Sequence, residues 1–283
     1  MRRVLYYHAG CPDGFGAAWA AWRAWGKDGE YRPRSHDDRV DPSDVMDDHV
    51  VFADIAPHND ELEGIAEAAA QVVVLDHHIT ALERFQSEPA LENVLAADGH
   101  RVHFDLEHSG AMLSWQYFHP GKPSPRLLEY VQDQDLWTWE LPQSEEVNAA
   151  IGSHPFDLEV WDDLAARPIL DLAAQGEPIV RLARIEVQRA LKTARPFVLD
   201  EGRIEAVNSP SNRAKIGHEL GRRAAYGTAW GLVYRVTGDR VDASIYSIGD
   251  VDVASIARRH GGGGHKNAAG FTLTLREWME RVI

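Results

Sequence analysis

The chain has 283 residues, of which 44% are hydrophobic and 26% are charged, a composition typical of a globular protein with room for two domains. Its net charge of −15 disfavours tight, nonspecific binding of long nucleic-acid duplexes. No run approaches the ~20 apolar residues that span a bilayer, so we expect no membrane partner and a cytoplasmic location. The single cysteine, Cys11, excludes an internal disulfide.

The first half of the chain predicts strands that alternate with helices. Strands are expected at 4–7, 50–53 and 72–75, and helices at 14–25 and 60–70. A hairpin around Asp98-Gly99, with strands at 93–97 and 101–105, and helices at 109–118 and 125–131 follow. The alternation is typical of an α/β fold with a parallel sheet flanked by helices.

The second half begins with a long amphipathic helix and continues with a new pattern. The helix at 176–194 is Arg-rich on its polar face, and Arg and Lys outnumber Asp and Glu over 181–240. Strands are then predicted at 197–199, 204–207, 229–236, 241–246 and 271–275, with helices at 214–225 and 253–260. We therefore expect a domain at 1–175, a helical linker at 176–195 and a second, smaller α/β domain at 196–283.

Polar side chains follow the last apolar residue of several predicted strands. His8, Asp54 and Asp76 occupy such positions. Because the carboxyl ends of parallel strands meet at one edge of the sheet, where ligands bind, these residues are expected to converge.

The first half also contains a larger set of oxygen and imidazole donors. The set comprises His8, Asp13, Asp54, Asp76, His77, His78, Asp133 and Asp135. Such a mixture suits Mn²⁺, and a single cysteine cannot form a Cys-rich zinc site. Taken one at a time, these residues are equally well explained as helix caps, turn residues or solvated surface groups, and Cys11 is an alternative candidate as a catalytic thiol.

Several motifs together resemble the DHH phosphoesterase superfamily. LDHH at 75–78 resembles the superfamily signature, and His8 with Asp13, Asp54 ending VVFAD, and Asp133 in YVQDQDLW resemble its other motifs in order. GGGGHKNAAG at 261–270 resembles the glycine-rich motif of the DHH-associated C-terminal domain. The resemblance covers nearly the whole chain and favours the nanoRNase and oligoribonuclease branch.

The resemblance implies a role for each matching residue. His8, Asp13 and Asp54 would bind a first metal, and Asp54, His77 and Asp133 a second. Asp76 would support His77, His78 would donate to the substrate phosphate, and Asp135 would complete or support the second site. The family's first motif commonly carries a second aspartate where this chain has Phe15, which leaves one or two Mn²⁺ ions open, with Mg²⁺ or Co²⁺ as alternatives.

The glycine-rich motif is expected to bind the substrate phosphate from the second domain, across the interdomain cleft. Glycine allows backbone N–H groups to approach an anion closely. The expected phosphate-binding residues are Gly262, Gly263, Gly264, His265, Asn267 and Arg213. A flexible loop is the alternative.

The implied function is a Mn²⁺-dependent phosphodiesterase that hydrolyses short single-stranded oligonucleotides or dinucleotides to mononucleotides. Asp54, His77 and His78 would carry the catalysis, with water activated by metal as nucleophile. Alternatives within the same chemistry are a phosphatase of 3′-phosphoadenosine 5′-phosphate and a cyclic-dinucleotide phosphodiesterase. An alternative of another class is a catalytically weakened nucleotide-binding protein. A homodimer is the assembly considered, although the sequence does not fix the oligomeric state.

Overall fold

Two separate sheets organise the chain, one in each of the units into which it divides, Met1–Val180 and Arg181–Ile283. The computed structural model describes residues 1–200 and 202–281. Among these residues, no helix combines the length and the apolar character that crossing a membrane requires.

The sheet of the first unit has five strands, all parallel to their neighbours. They are β1 (Arg3–His8), β2 (Gly29–Arg34), β3 (His49–Ala53), β4 (Gln71–Asp76) and β5 (Arg101–Phe104). Their spatial order is β2-β1-β3-β4-β5. The central strands are short runs of buried apolar residues, as expected for a parallel sheet covered on both faces.

Eight helices accompany this sheet. They are α1 (Pro12–Trp25), α2 (Asn59–Ala68), α3 (Ile79–Gln86), α4 (Pro89–Ala97), α5 (Gly110–Phe118), α6 (Arg126–Asp135), α7 (Ser144–Ile151) and α8 (Leu158–Ala166). Helix α6 is longer than predicted, so Asp133 and Asp135 lie within its last turn rather than after it.

The predicted hairpin around Asp98-Gly99 is wrong. Residues 93–97 belong to helix α4, and β5 pairs in parallel with β4. Gly99 has a φ of +84°, and His100 N–H donates to the carbonyl of Leu95, which closes the helix end. An Asp-Gly pair serves a helix C-terminus as well as a hairpin turn, because both need a residue with positive φ.

The sheet of the second unit is mixed. Its strands are β6 (Arg195–Leu199), β7 (Gly202–Asn208), β8 (Trp230–Thr237), β9 (Arg240–Ser247), β10 (Gly263–His265) and β11 (Ala268–Thr274). They are ordered β10-β11-β9-β8-β7-β6, with β7 and β8 parallel and the other pairs antiparallel. Helices α10 (Arg213–Arg223), α11 (Val253–Arg259) and α12 (Leu275–Arg281) accompany it. The predicted parallel sheet and the second α/β unit are thereby confirmed.

A single long helix, α9 (Ile169–Leu191), runs through the point at which the chain divides. It begins seven residues earlier than the linker predicted at 176–195. The roles assigned to the two domains stay predictions.

Candidate metal centre

Three neighbouring strands bring residues from distant parts of the chain to one edge of the first sheet. His8 ends β1, Asp54 follows β3, and His77 follows β4. Strand β3 lies between β1 and β4, so Asp54 lies between the two histidines. Asp54 has a φ of 60°, a left-handed conformation that aspartate tolerates better than most residues and that is enriched at functional sites.

The carboxylate of Asp54 connects the two histidines. Its Oδ1 lies 3.0 Å from Nε2 of His77, and its Oδ2 lies 3.4 Å from Nδ1 of His8. Asp54 and His77 are both buried. The pair that the sequence expects to share an ion is therefore in direct contact.

Two further carboxylates approach the same nitrogen of His77. Oδ2 of Asp13 lies 3.6 Å from Nε2, and Oδ2 of Asp135 lies 3.5 Å from it. Donor atoms of Asp13, His77 and Asp135 all lie within 4.8 Å of one another, and so do those of His8, Asp54 and His78. Two adjacent groups of donors, which share no residue, thus meet at the Asp54–His77 contact, and each could hold a metal ion.

Helix α5 holds Asp13 in place. The carboxylate of Asp13 accepts hydrogen bonds from the backbone N–H groups of Gly110, at 2.7 Å, and Ala111, at 3.0 Å, in the first turn of the helix. A Cβ added to Gly110 would overlap the Cβ of Asp54. Glycine at 110 therefore allows the helix to reach Asp13 while Asp54 keeps its position, a contribution that the sequence analysis missed.

Within the DHH tripeptide, Asp76 orients the ring of His78. Its Oδ1 accepts from Nδ1 of His78 at 2.7 Å and from the backbone N–H of His77, also at 2.7 Å. Burial alone would raise the pKa of Asp76, but the adjacent His78 outweighs it and lowers that pKa, so the carboxylate accepts and the imidazole donates. The support predicted for His77 acts through the backbone of that residue.

The electrostatics of the group favour a cation. Burial raises the pKa of Asp13 well above its ordinary value, and the neighbouring Asp54 and Asp135 raise it further. Burial likewise raises the pKa of Asp135. A divalent cation in place of protons would relieve the repulsion among these three carboxylates, so the residues fit a metal ion.

The pKa values of Asp54 and His77 shift in the direction that favours the charged forms. Burial opposes their charged forms, yet hydrogen bonds from His77 and His8 hold the pKa of Asp54 well below its usual range. For His77, burial is outweighed by the hydrogen bond to Asp54, and its pKa rises to about 10. The protonated imidazole therefore supplies positive charge that a metal would otherwise supply.

Asp133, the predicted second-site ligand, faces a different environment. It accepts hydrogen bonds from Oγ1 of Thr138 at 2.7 Å, from the N–H of Glu140 at 2.8 Å and from the N–H of Leu141 at 3.4 Å. These contacts shape the segment that follows α6. The structure brings Asp135, and not Asp133, beside His77.

Phe15 stands where the family commonly has an aspartate, and its ring is buried among other aromatic rings. Ring centroids of Phe156, Trp161 and Tyr7 lie 5.2, 5.1 and 5.9 Å away. A carboxylate at this position would be surrounded by apolar groups, at a high cost in free energy.

Cys11 adjoins the metal-binding group as a helix cap. Its sulfur accepts the N–H of Gly14 at 3.3 Å and lies 3.5 Å from both Nδ1 of His8 and Oδ2 of Asp54. Burial and the nearby carboxylates raise the pKa of the thiol well above its ordinary value. A neutral thiol is a poor nucleophile, which disfavours the alternative of thiol catalysis.

His36 is a neighbour of this group that the sequence analysis missed. Its ring centroid lies 4.7 Å from that of His8 and 5.9 Å from that of His78. It follows β2, whose sequence GEYRPR lacks the apolar run that revealed the other strands. The signal available was a histidine two residues beyond a Tyr-Arg-Pro-Arg segment, which is weak.

In the second unit, the glycine-rich segment forms an ordered hairpin. Gly263, Gly264 and His265 make up β10 and pair with β11. Gly264 has a φ of +137°, and a Cβ on Gly262 would overlap the carbonyl of Gly270, so both positions need glycine. The alternative of a flexible loop is thus not what the structure describes.

The other two predicted phosphate-binding residues make contacts within the second unit. Nδ2 of Asn267 donates to Oγ of Ser247 at 2.8 Å and to the carbonyl of Gly249 at 3.0 Å. Arg213 donates from Nη2 to Oγ of Ser244. Asn267 therefore uses both amide protons to hold the hairpin against neighbouring turns.

Comparison with known proteins agrees with these motifs. Residues 215–283 match the DHHA1 domain. The second unit therefore carries a DHH-associated domain, and the motifs of the first unit resemble those of the DHH phosphoesterase superfamily.

Two curated relatives align with almost the whole chain. The uncharacterized protein R106 of Acanthamoeba polyphaga mimivirus is 28% identical over 96% of this chain and 67% of its own length. Oligoribonuclease NrnB of Bacillus subtilis (strain 168) is 25% identical over 95% of this chain and 72% of its own. Among solved structures, the pGpG-specific phosphodiesterase PggH from Vibrio cholerae aligns over 99% of this chain and 96% of its own, with a TM-score of 0.44 and 13% identity.

Proposed function

We propose that the protein is a Mn²⁺-dependent phosphodiesterase that hydrolyses short oligonucleotides or dinucleotides to mononucleotides. The observation that carries the proposal is the contact of one buried carboxylate, Asp54, with both His8 and His77. A bridging carboxylate of this kind suits a hydrolytic centre with one or two cations. The similarity to an oligoribonuclease over 95% of the chain supports the choice of substrate.

In this proposal the cation is held by residues of the first unit. His8 and Asp54 supply one group of donors, and Asp13, His77 and Asp135 supply the other. Asp135 takes the place that the resemblance gives to Asp133. When bound, the cation would acidify a water molecule and stabilise the charge that develops on the phosphoryl group.

The remaining residues of the centre orient groups and move protons. The N-terminus of α5 holds Asp13 through two N–H groups, so its carboxylate keeps a fixed orientation. Asp76 fixes the ring of His78 with Nδ1 as the donor to the carboxylate. We assign His78 to the substrate phosphate, to which an imidazole positioned in this way donates a hydrogen bond.

We assign phosphate binding also to the glycine hairpin of the second unit. The absence of side chains at Gly263 and Gly264 allows an anion to approach the backbone closely, and His265 adds an imidazole, whereas the N–H of Gly262 already donates to the carbonyl of Ala257. On this assignment His265→Ala raises KM for the dinucleotide more than it lowers kcat.

The test is hydrolysis by the purified chain of labelled ribo- and deoxyribodinucleotides with Mn²⁺, Mg²⁺ or Co²⁺. We expect mononucleotide products with Mn²⁺ and loss of turnover in Asp54→Asn, which keeps the shape of the side chain. Parallel assays use 3′-phosphoadenosine 5′-phosphate and a cyclic dinucleotide. If either is hydrolysed faster than the dinucleotides, that compound replaces them as the proposed substrate. Tight nucleotide binding without turnover in any of these cations would instead identify a nucleotide-binding protein.

A further inference from the structure

The segment after β2 is held by a buried ion pair. Nη2 of Arg34 lies 2.7 Å from Oε2 of Glu61, and both side chains are almost wholly buried, with 3% and 2% of their surfaces exposed. Arg34 also donates to the carbonyl of Asp38 at 2.9 Å, and Glu61 accepts the N–H of Val40 at 2.7 Å. Oδ2 of Asp38 in turn accepts the N–H of Ser35 at 2.7 Å. Residues 35–40 are therefore fixed at both ends by charged, buried partners.

The Arg34–Glu61 ion pair and its hydrogen bonds hold His36 beside the metal-binding group. The carbonyl of Arg34 accepts the N–H of Ala9 at 2.8 Å, which joins the segment to the residue that follows His8. The ring of His36 then lies beside those of His8 and His78, with centroids 4.7 and 5.9 Å away. Three imidazoles from three different segments thus border one side of the group.

His36 differs from its two neighbours in its own contacts. The residue is exposed to solvent, and none of residues 1–200 and 202–281 makes a hydrogen bond to its ring. It belongs to neither group of the first unit whose donor atoms lie within 4.8 Å of one another. The buried ion pair therefore holds in place a ring that has no hydrogen-bond partner among the residues that the structure describes, which points to a ligand other than the metal.

We propose that His36 binds a phosphate oxygen of the substrate, an assignment that rests on the proposed function and adds a substrate-binding residue to it. The carboxylates of Asp13, Asp54 and Asp135 repel an anion that approaches the centre. Hydrogen-bond donors at the border of the group compensate for that repulsion, and a neutral imidazole offers one N–H for this purpose. His36 and His78 then contact the phosphate from adjacent sides.

The experiment measures binding rather than turnover. The full chain, loaded with Mn²⁺, is titrated by calorimetry with inorganic phosphate, adenosine 5′-monophosphate and adenosine. His36→Ala should weaken phosphate binding about 10- to 100-fold, and His36→Asn, which keeps a donor, should restore part of it. The matched control is Arg39→Ala in the same segment, whose exposed pairing with Asp60 makes it expendable, and it should bind phosphate within about twofold of the wild type.

Two results would overturn the assignment. Unchanged phosphate affinity in His36→Ala would remove His36 from the phosphate site, and a selective loss of adenosine affinity would make it a base-stacking residue instead. Mn²⁺ affinity, measured on the same samples, should be unchanged in His36→Ala, and a large loss would make His36 a metal ligand.

The outcome is separable from that of the proposed function. If the wild type binds phosphate through His36 but hydrolyses no nucleotide, the proposed function fails and the His36 assignment stands. If the wild type hydrolyses a dinucleotide and His36→Ala has the same kcat/KM, the proposed function stands and the His36 assignment fails.

Discussion

Asp133 and Asp135 stand two residues apart in the last turn of α6, yet their carboxylates lie in different surroundings. Oδ2 of Asp135 is 3.5 Å from Nε2 of His77, whereas Asp133 accepts the hydroxyl of Thr138 and the N–H of Glu140. Residues two positions apart on a helix point in nearly opposite directions, so a single turn separates a candidate metal ligand from a structural acceptor.

Substitution should separate these two roles. Asp135→Asn should weaken Mn²⁺ binding about tenfold or more with little change in the free energy of unfolding, because it removes a charged donor from the group. Asp133→Asn should leave Mn²⁺ binding almost unchanged. It should lower the free energy of unfolding by about 1–3 kcal/mol, because it disturbs the hydrogen bonds that Asp133 accepts. Calorimetric Mn²⁺ titration and urea unfolding of both variants measure this, and the opposite pattern would make Asp133 the ligand.

Mn²⁺ should stabilise the folded chain. The cation relieves repulsion among Asp13, Asp54 and Asp135, and a ligand at a hundredfold excess over its Kd contributes about 2.7 kcal/mol. Thermal unfolding with Mn²⁺ and with a chelator should therefore give clearly different Tm values. Asp54→Asn is the control, and its Tm should change little with Mn²⁺. A wild type whose Tm is the same with Mn²⁺ and with the chelator would contradict a metal centre here.

Gly110 should tolerate no side chain. A Cβ there would overlap Asp54, so Gly110→Ala should lower the free energy of unfolding by about 1–3 kcal/mol and weaken Mn²⁺ binding as well. Gly152→Ala is the matched control, because its φ is −67° and its Cβ would meet the carbonyl of Asn148 at 3.4 Å. That variant should stay within about 0.5 kcal/mol of the wild type. Equal effects of the two substitutions would show that the contact with Asp54 does not matter.

The buried Arg34–Glu61 pair should be sensitive to loss of one partner. Glu61→Gln leaves a buried guanidinium without its counter-charge and should cost about 3–5 kcal/mol in urea unfolding. Asp60→Asn, at the neighbouring position, breaks an ion pair with Arg39 that is exposed to solvent, and it should cost at most about 1 kcal/mol. A small effect at Glu61 would mean that the segment carrying His36 is not clamped by charge.

His218 should make the second unit less stable in acid. Burial, assisted by the nearby Arg222, lowers the pKa of its imidazole to about 4. An unfolded histidine binds a proton near pH 6.5, so between these values the unfolded state binds more protons and stability falls as the pH decreases. Urea midpoints from pH 7 to pH 4 should fall less steeply in His218→Gln, and equal slopes for the two proteins would contradict the assignment.

The sequence was sufficient to predict the parts of the centre that depend on strand ends. His8, Asp54 and Asp76 each follow a short apolar run, and parallel strands necessarily bring such positions to one edge, whereas His77 was named from the resemblance. The choice between Asp133 and Asp135 could not be made in this way, because it depends on how α6 is rotated about its axis, and packing sets that rotation.

The contributions of Gly110 and His36 required the structure. Gly110 matters because α5 starts against Asp13, a contact between residues 97 positions apart. His36 follows β2, a half-buried strand at the edge of the sheet that carries Pro33 and three charged residues. Such a strand lacks the apolar signal from which the others were predicted.

The order β1-β3-β4 also determines what could be changed in this protein. Adjacent strands in a sheet are about 4.8 Å apart, a spacing set by backbone hydrogen bonds and independent of side-chain identity. The backbone at positions 8, 54 and 77 should therefore keep its spacing when the residues at these positions are substituted. New combinations of donors could be grafted onto those three positions, and the sheet would still hold them on neighbouring strands.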